Sequence, residues 1–169
     1  MSKSDLLLTL LKESVNKCYQ NDKILIERGM EQASVARIYY YMQKALEQDK
    51  RFDIFTSHQL DSEYNKRGEN IKSTPRFVHG TRPDIILHYR LDAPCRDNVI
   101  IMEFKAKLKR GGNTIPQRDK NKLEDFTARQ GEYNYFLGVF IRLNEQSAEY
   151  RYFQDGYEKS ESELDNDQS

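Results

Sequence analysis

The chain of 169 residues carries 27 basic and 27 acidic side chains, three histidines and no tryptophan, and 37% of it is hydrophobic. That length suits one domain and is too short for two, and eleven Tyr with eight Phe are too many for a disordered chain even at 32% charged residues. Spread evenly, a net charge of zero would argue against a nucleic-acid partner, because phosphate binding leaves a basic footprint.

The charges are not spread evenly. Residues 155–169, DGYEKSESELDNDQS, hold six acids and one base, so residues 1–154 carry 26 bases against 21 acids. The sequence predicts a single mildly basic domain over 1–154 and an acidic, disordered tail over 155–169, which has little apolar surface to offset the entropy of ordering. Seated in a basic groove, such a tail would compete with an anionic substrate.

The opening segment MSKSDLLLTLLKES has an apolar run too short for a signal-peptide core or a bilayer span, and no later segment reaches 18 apolar residues. Cys18 and Cys95 form no CxxC and have no nearby His, which speaks against zinc and for free thiols in a reducing cytoplasm.

In chain order, Leu7, Leu8, Leu11, Val15 and Cys18 recur at helical spacing, predicting a helix over 4–20 with Ser4 as its cap. Gly29 punctuates the chain. Val35, Ile38, Tyr39, Met42 and Leu46 then define a second helix over about 30–48 with one apolar stripe. Strand-like texture follows from Phe52 through Leu60 to Tyr64, with turn residues at 65–68. Asp84-Ile85-Ile86-Leu87-His88-Tyr89 and Val99-Ile100-Ile101-Met102-Glu103-Phe104-Lys105-Ala106 read as central strands covered on both faces. A basic, glycine-containing loop from Lys107 to Arg118 precedes a short helix over 119–127, a strand over 135–143 and an edge strand over 149–153. This order suggests an α/β layer structure around a mixed central sheet.

Alternation along a strand puts Val99, Ile101, Glu103 and Lys105 on one face. Burying a lone carboxylate or ammonium is costly, so Glu103 and Lys105 at the end of an apolar run need a partner, a metal or solvent. Asp84, after Pro83, converges with Glu103 if the two strands are neighbours. Glu31 lies within about 40° of the apolar stripe of the second helix and therefore faces the sheet; Glu27 lies at the stripe's margin. Three carboxylates and a lysine aimed at one spot suit a hard divalent cation, Mg²⁺ or Mn²⁺, better than zinc. The plainer alternatives are a turn acid at Asp84, a strand-end ion pair at Glu103 and Lys105, and a first-turn acid favoured by the helix dipole at Glu31. Glu63 is either a further approach to the site or a cross-strand partner of a lysine, and His88 reads as a hydrogen-bonded core histidine.

Pro83-Asp84 followed by Glu103-Phe104-Lys105 resembles the PD-(D/E)XK nuclease superfamily, and within it an uncharacterised prokaryotic and phage group. The matching stretches are EQASVARIYYYM from Glu31, DSEYNK from Asp61, RPDIILHYR from Arg82, NVIIMEFK from Asn98, DKNKL from Asp119 and YFLGVFI from Tyr135. Gln32 stands where the group's pattern suggests Arg, and Leu60 where a Val is common. The resemblance implies a restriction-endonuclease-like, three-layer α/β core with helices flanking a mixed sheet. It also implies a Mg²⁺- or Mn²⁺-dependent nuclease, acting on DNA, with RNA as the other substrate. Asp84 and Glu103 would hold the metal, with Glu31 a third or water-mediated ligand, and Lys105 would orient or help deprotonate the attacking water. Apart from the resemblance, the basic residues Lys107, Lys109, Arg110 and Arg118, followed by Lys120 and Lys122, would either track a phosphate backbone or form a solvated flexible loop. Cutting both strands would call for a homodimer or a larger protein partner. The alternative to catalysis is an inactive module that keeps the nuclease scaffold for binding or assembly.

Overall fold

The computed structural model describes residues 1–63, 66–67, 70–89, 98–106 and 114–164. Helix α1 (Lys3–Asn21) begins at Ser2, whose hydroxyl accepts the Asp5 amide at 3.1 Å while Asp5 Oδ2 accepts the Ser2 amide at 3.0 Å. This reciprocal pair satisfies two of the free amides at the helix start. Ser4, expected as the cap, is buried instead. A five-residue helix α2 (Lys23–Glu27) leads through Gly29, at φ 66°, into α3 (Glu31–Gln48).

The segment after α3 departs from expectation. Lys50–Phe55 is a 3-10 turn rather than a strand, started by the Asp49 carboxylate accepting the Arg51 amide at 3.0 Å. A 3-10 turn aligns residues three apart, so Phe52 and Phe55 are buried together while Ile54 stays 57% exposed. Strand β1 (Gln59–Ser62) follows, then the short pair β2 (Lys66–Arg67) and β3 (Asn70–Ile71). Next come β4 (Ile85–His88), β5 (Ile100–Ala106), α4 (Gln117–Thr127), β6 (Leu137–Leu143), β7 (Ala148–Gln154) and β8 (Tyr157–Lys159).

The main sheet has six strands in the order β1-β4-β5-β6-β7-β8. Every neighbouring pair is antiparallel except β5 and β6, which run parallel and are joined through α4. A parallel pair needs such a crossover, whereas hairpins suffice elsewhere. The sheet is therefore mixed, with helices on both faces. On one face Leu7, Leu11, Val15, Ile38 and Met42 of α1 and α3 pack on Ile85, Leu87, Ile100, Met102, Phe104, Val139 and Ile141. On the other, Leu123 and Phe126 of α4 pack on Ile86, Ile101, Phe140 and Phe153. The alternation of β5 is as expected, with Phe104 toward α1 and α3 and the odd-numbered residues toward α4. Gly138 lets α4 approach β6 closely, because a Cβ there would lie 2.9 Å from Thr127 Cγ2.

The expected disordered tail is folded as far as Leu164. Asp155 and Gly156 have φ of 59° and 85° and turn β7 back into β8, and Leu164 is only 6% exposed. Two successive positive φ values make the tight turn whose twist matches a hairpin. Asp155, Glu158 and Glu161 of this segment have partners in the body. Glu161 takes the Lys12 ammonium at 2.7 Å and the Tyr152 hydroxyl at 2.7 Å, and Asp155 pairs with Arg129 and Lys159. Asp165 and Asp167 lie outside the described residues. Among the described residues no helix is long and apolar enough to cross a membrane.

Candidate active site

Asp84 immediately precedes β4, and Ile85 pairs with Met102. One residue further along this antiparallel register, Asp84 faces Glu103 across the strand pair. Residues so opposed share a face with Cβ atoms roughly 5 Å apart, and like charges there repel unless something offsets them. The face is the one covered by α4. Asp84 is fixed by the Phe104 amide, which donates to its Oδ2 at 2.7 Å; its Oδ1 takes no hydrogen bond among the described residues. Glu103 is 2% exposed. Its Oε2 accepts the Lys122 ammonium at 2.8 Å, and its Oε1 is buried without a partner among the described residues.

Lys105, two residues on, emerges on the same face at the rim. Its Nζ lies 3.3 Å from Glu31 Oε1 and 3.9 Å from Asp119 Oδ2. Glu31, the first residue of α3, also accepts the Ala106 amide through Oε2 at 2.9 Å. The structure thus brings Glu31, Asp84, Glu103 and Lys105 to one end of β5. Both oxygens of Glu31, expected to ligate metal, are taken by Lys105 and the strand backbone.

Two charged residues of α4 complete the cluster. Asp119 is 6% exposed with Oδ2 free of hydrogen bonds among the described residues, and Lys122, also 6% exposed, donates to Glu103 and to the Arg82 carbonyl at 3.0 Å. Lys122, expected to follow a phosphate backbone, is buried as the counter-ion of Glu103. The signal for both was in the sequence: Asp119, Lys122, Leu123 and Phe126 fall at i, i+3, i+4 and i+7, so two charges lie on the stripe that faces the sheet. Of the expected phosphate-binding residues, Arg118 is exposed at the mouth of the cleft; Lys107, Lys109 and Arg110 lie outside the described residues.

These side chains line a cleft of about 470 Å³ formed by His79, Gly80, Thr81, Arg82, Asp84, Glu103, Lys105, Arg118, Asp119 and Lys122. A smaller cleft of about 250 Å³, lined by Glu31, Gln32, Glu63 and others, meets it at Asp84. A comparable cleft of about 500 Å³ between α3 and β1 shares no residue with the first and has no lysine. His88 forms a buried pair with Asp61, Nε2 to Oδ2 2.9 Å, on the same sheet face but apart from the cleft. Cys18 is buried; Cys95 lies outside the described residues.

The electrostatics follow from burial and crowding. Burial pushes the Glu103 carboxyl up to about 8, the Asp84 and Asp119 carboxylates adding to the shift and Lys122 opposing it. Burial also raises Asp84, against the Phe104 amide, Lys122 and Lys105. For Lys105, burial favours the neutral amine, but Asp119, Glu31 and Asp84 outweigh it and hold the ammonium above its ordinary value. Crowded carboxylates with raised proton affinity are a common signature of a functional site.

The donors present are hard oxygens. Among the described residues no group of three or more His, Cys, Asp or Glu side chains is set to hold a metal ion. Asp84 and Glu103 nonetheless each keep one carboxylate oxygen without a hydrogen bond among the described residues, beside a cleft. That arrangement fits Mg²⁺, which retains several waters and binds through one or two carboxylates together with substrate phosphate. No protein-family model matches the chain, and no curated protein matches it.

Proposed function

We propose that the protein is a Mg²⁺- or Mn²⁺-dependent nuclease of the PD-(D/E)XK, restriction-endonuclease-like type, hydrolysing phosphodiester bonds in DNA. The observation that carries this reading is the cross-strand pair of Asp84 and Glu103. Among the described residues each carboxylate has one oxygen bound to a donor of the protein and one without a hydrogen bond, and Lys105 stands on the same face two residues beyond Glu103. A divalent ion held by Asp84 and Glu103 would lower the pKa of its water and offset charge on the phosphate. Lys105, kept protonated by Glu31 and Asp119, orients the attacking water and stabilises the negative charge of the transition state. Arg82 and Arg118 are placed at the exposed mouth of the cleft to meet the flanking phosphates.

A second reading, a nuclease-fold binding module without catalysis, draws on the ion pairs that already occupy Glu103 and Glu31. Purified protein incubated with Mg²⁺ or Mn²⁺ and plasmid, single-stranded DNA or RNA separates the two, with Asp84→Asn and Lys105→Met alongside. Metal-dependent cleavage by the wild type alone supports the nuclease, and preference for RNA would reassign its substrate. Equal cleavage by all three proteins, or none together with no bound metal, overturns it.

A further inference from the structure

The Lys122 ammonium is buried against the Glu103 carboxylate and the Arg82 carbonyl, so one oxygen of Glu103 is committed and the other, Oε1, is left without a partner. At this end of β5 four carboxylates, Glu31, Asp84, Glu103 and Asp119, stand with two ammonium groups, Lys105 and Lys122, of which Glu31 and Lys105 lie at the rim. Arg82 and Arg118 lie at the exposed mouth, and Arg142, beside Lys105 on β6, is paired with Glu149. Burying an ammonium is unfavourable unless fixed partners hold it, and the neighbouring positions of the α4 stripe, Leu123 and Phe126, show that apolar side chains suit this face.

Resting on the metal-dependent reading above, we propose that Lys122 is a positioning residue that limits the site to a single divalent ion. Its ammonium supplies inside the cleft the positive charge that a second ion would otherwise bring, and it holds Glu103 so that this residue offers one oxygen rather than two. A second ion would need both Glu103 oxygens or the Asp119 carboxylate; Lys122 takes one Glu103 oxygen, and Asp119 Oδ2 lies 3.9 Å from the Lys105 ammonium, so a cation there would meet the repulsion of both lysines.

The test counts Mn²⁺ bound to the full-length chain by calorimetry and electron paramagnetic resonance, scoring only ions lost in the Asp84→Asn/Glu103→Gln double variant. The wild type takes one ion and Lys122→Met takes two. Two ions in the wild type, or a single ion in Lys122→Met, overturns the inference while the metal-dependent reading stands. No such ion in the wild type overturns both. If Lys122→Met lacks a cooperative thermal transition, Lys122→Gln, which keeps a donor toward Glu103 without the charge, is counted in its place, with the same two-ion result expected. A single ion in that variant overturns the inference.

Discussion

Glu31, the first residue of α3, accepts the amide of Ala106, the last residue of β5, at 2.9 Å while its other oxygen lies 3.3 Å from the Lys105 ammonium. The helix start therefore closes the strand end and aims the lysine that follows Glu103. Glu31→Gln keeps an acceptor for Ala106 and loses the charge beside Lys105. We expect it to lower turnover by roughly ten- to a hundredfold, the range for residues that orient a reacting group, with Mn²⁺ affinity unchanged in calorimetry. A matching loss of Mn²⁺ affinity would make Glu31 a ligand instead.

Asp84→Asn and Lys105→Met act on the proposed reacting centre itself. Each should reduce metal-dependent cleavage on the order of a hundred- to a thousandfold. Asp84→Asn should also weaken Mn²⁺ binding, whereas Lys105→Met should leave it intact or strengthen it, because it removes a positive charge. Single-turnover cleavage and calorimetry on the same preparations separate these effects.

Arg118 is exposed at the cleft mouth, 6.0 Å from the Phe77 ring centroid. If it meets a phosphate, Arg118→Gln should weaken DNA binding at low salt similarly for different sequences. The slope of log affinity against log salt should fall by about one. An unchanged slope would place the backbone elsewhere.

Lys72 lies off the site, 3% exposed, with its ammonium 2.8 Å from the Tyr135 hydroxyl. Burial lowers it to about 7, with Asp61 opposing. In the unfolded chain this lysine keeps its proton up to an ordinary value near 10.5. Between pH 7 and about 10 the unfolded state thus binds more protons than the folded one, and the contribution of Lys72 to stability rises with pH by up to about 1.4 kcal/mol per unit. Urea melts across pH 7–10 should show this slope in the wild type and its loss in Lys72→Met.

Gly138 and the C-terminal hairpin test the fold. Gly138→Val pushes a side chain into Thr127, Phe153 and Leu123 and should cost about 1–3 kcal/mol. Truncation after Phe153 removes β8 and the buried Leu164, whose burial alone contributes ~2 kcal/mol. It should lower the midpoint of thermal unfolding. It should not raise nucleic-acid affinity, because Glu161 and Asp155 are engaged with Lys12, Tyr152, Arg129 and Lys159 rather than with the cleft.

Local pattern made some of this legible. The stripe of α3 runs through Ile38 and Met42, both fully buried, and the apolar runs of β4 and β5 announce strands covered on both sides. A cross-strand meeting of Asp84 with Glu103 needs only that those strands be neighbours. Lys122 and Asp119 were harder to see because their partners lie on another layer, and a charge run reads as solvated until the helix is turned to show its stripe. The C-terminal segment was misread for the opposite reason. Its acid count drew attention away from Asp155-Gly156, a strong two-residue hairpin signal, and its main ion-pair partner, Lys12, is 149 residues distant. Phe52 and Phe55 look like strand residues by type, yet their spacing of three is that of the 3-10 turn they form.

The placement of α4 has a consequence for how the chain comes to life. Glu103 is held by Lys122, which lies on α4, the crossover helix between β5 and β6. A nascent chain that ends before residue 117 therefore contains Glu31, Asp84, Glu103 and Lys105 but neither Asp119 nor Lys122, the two charged residues of α4 that complete the cluster. Until α4 is made, Glu103 lacks the counter-ion that holds it in the folded chain.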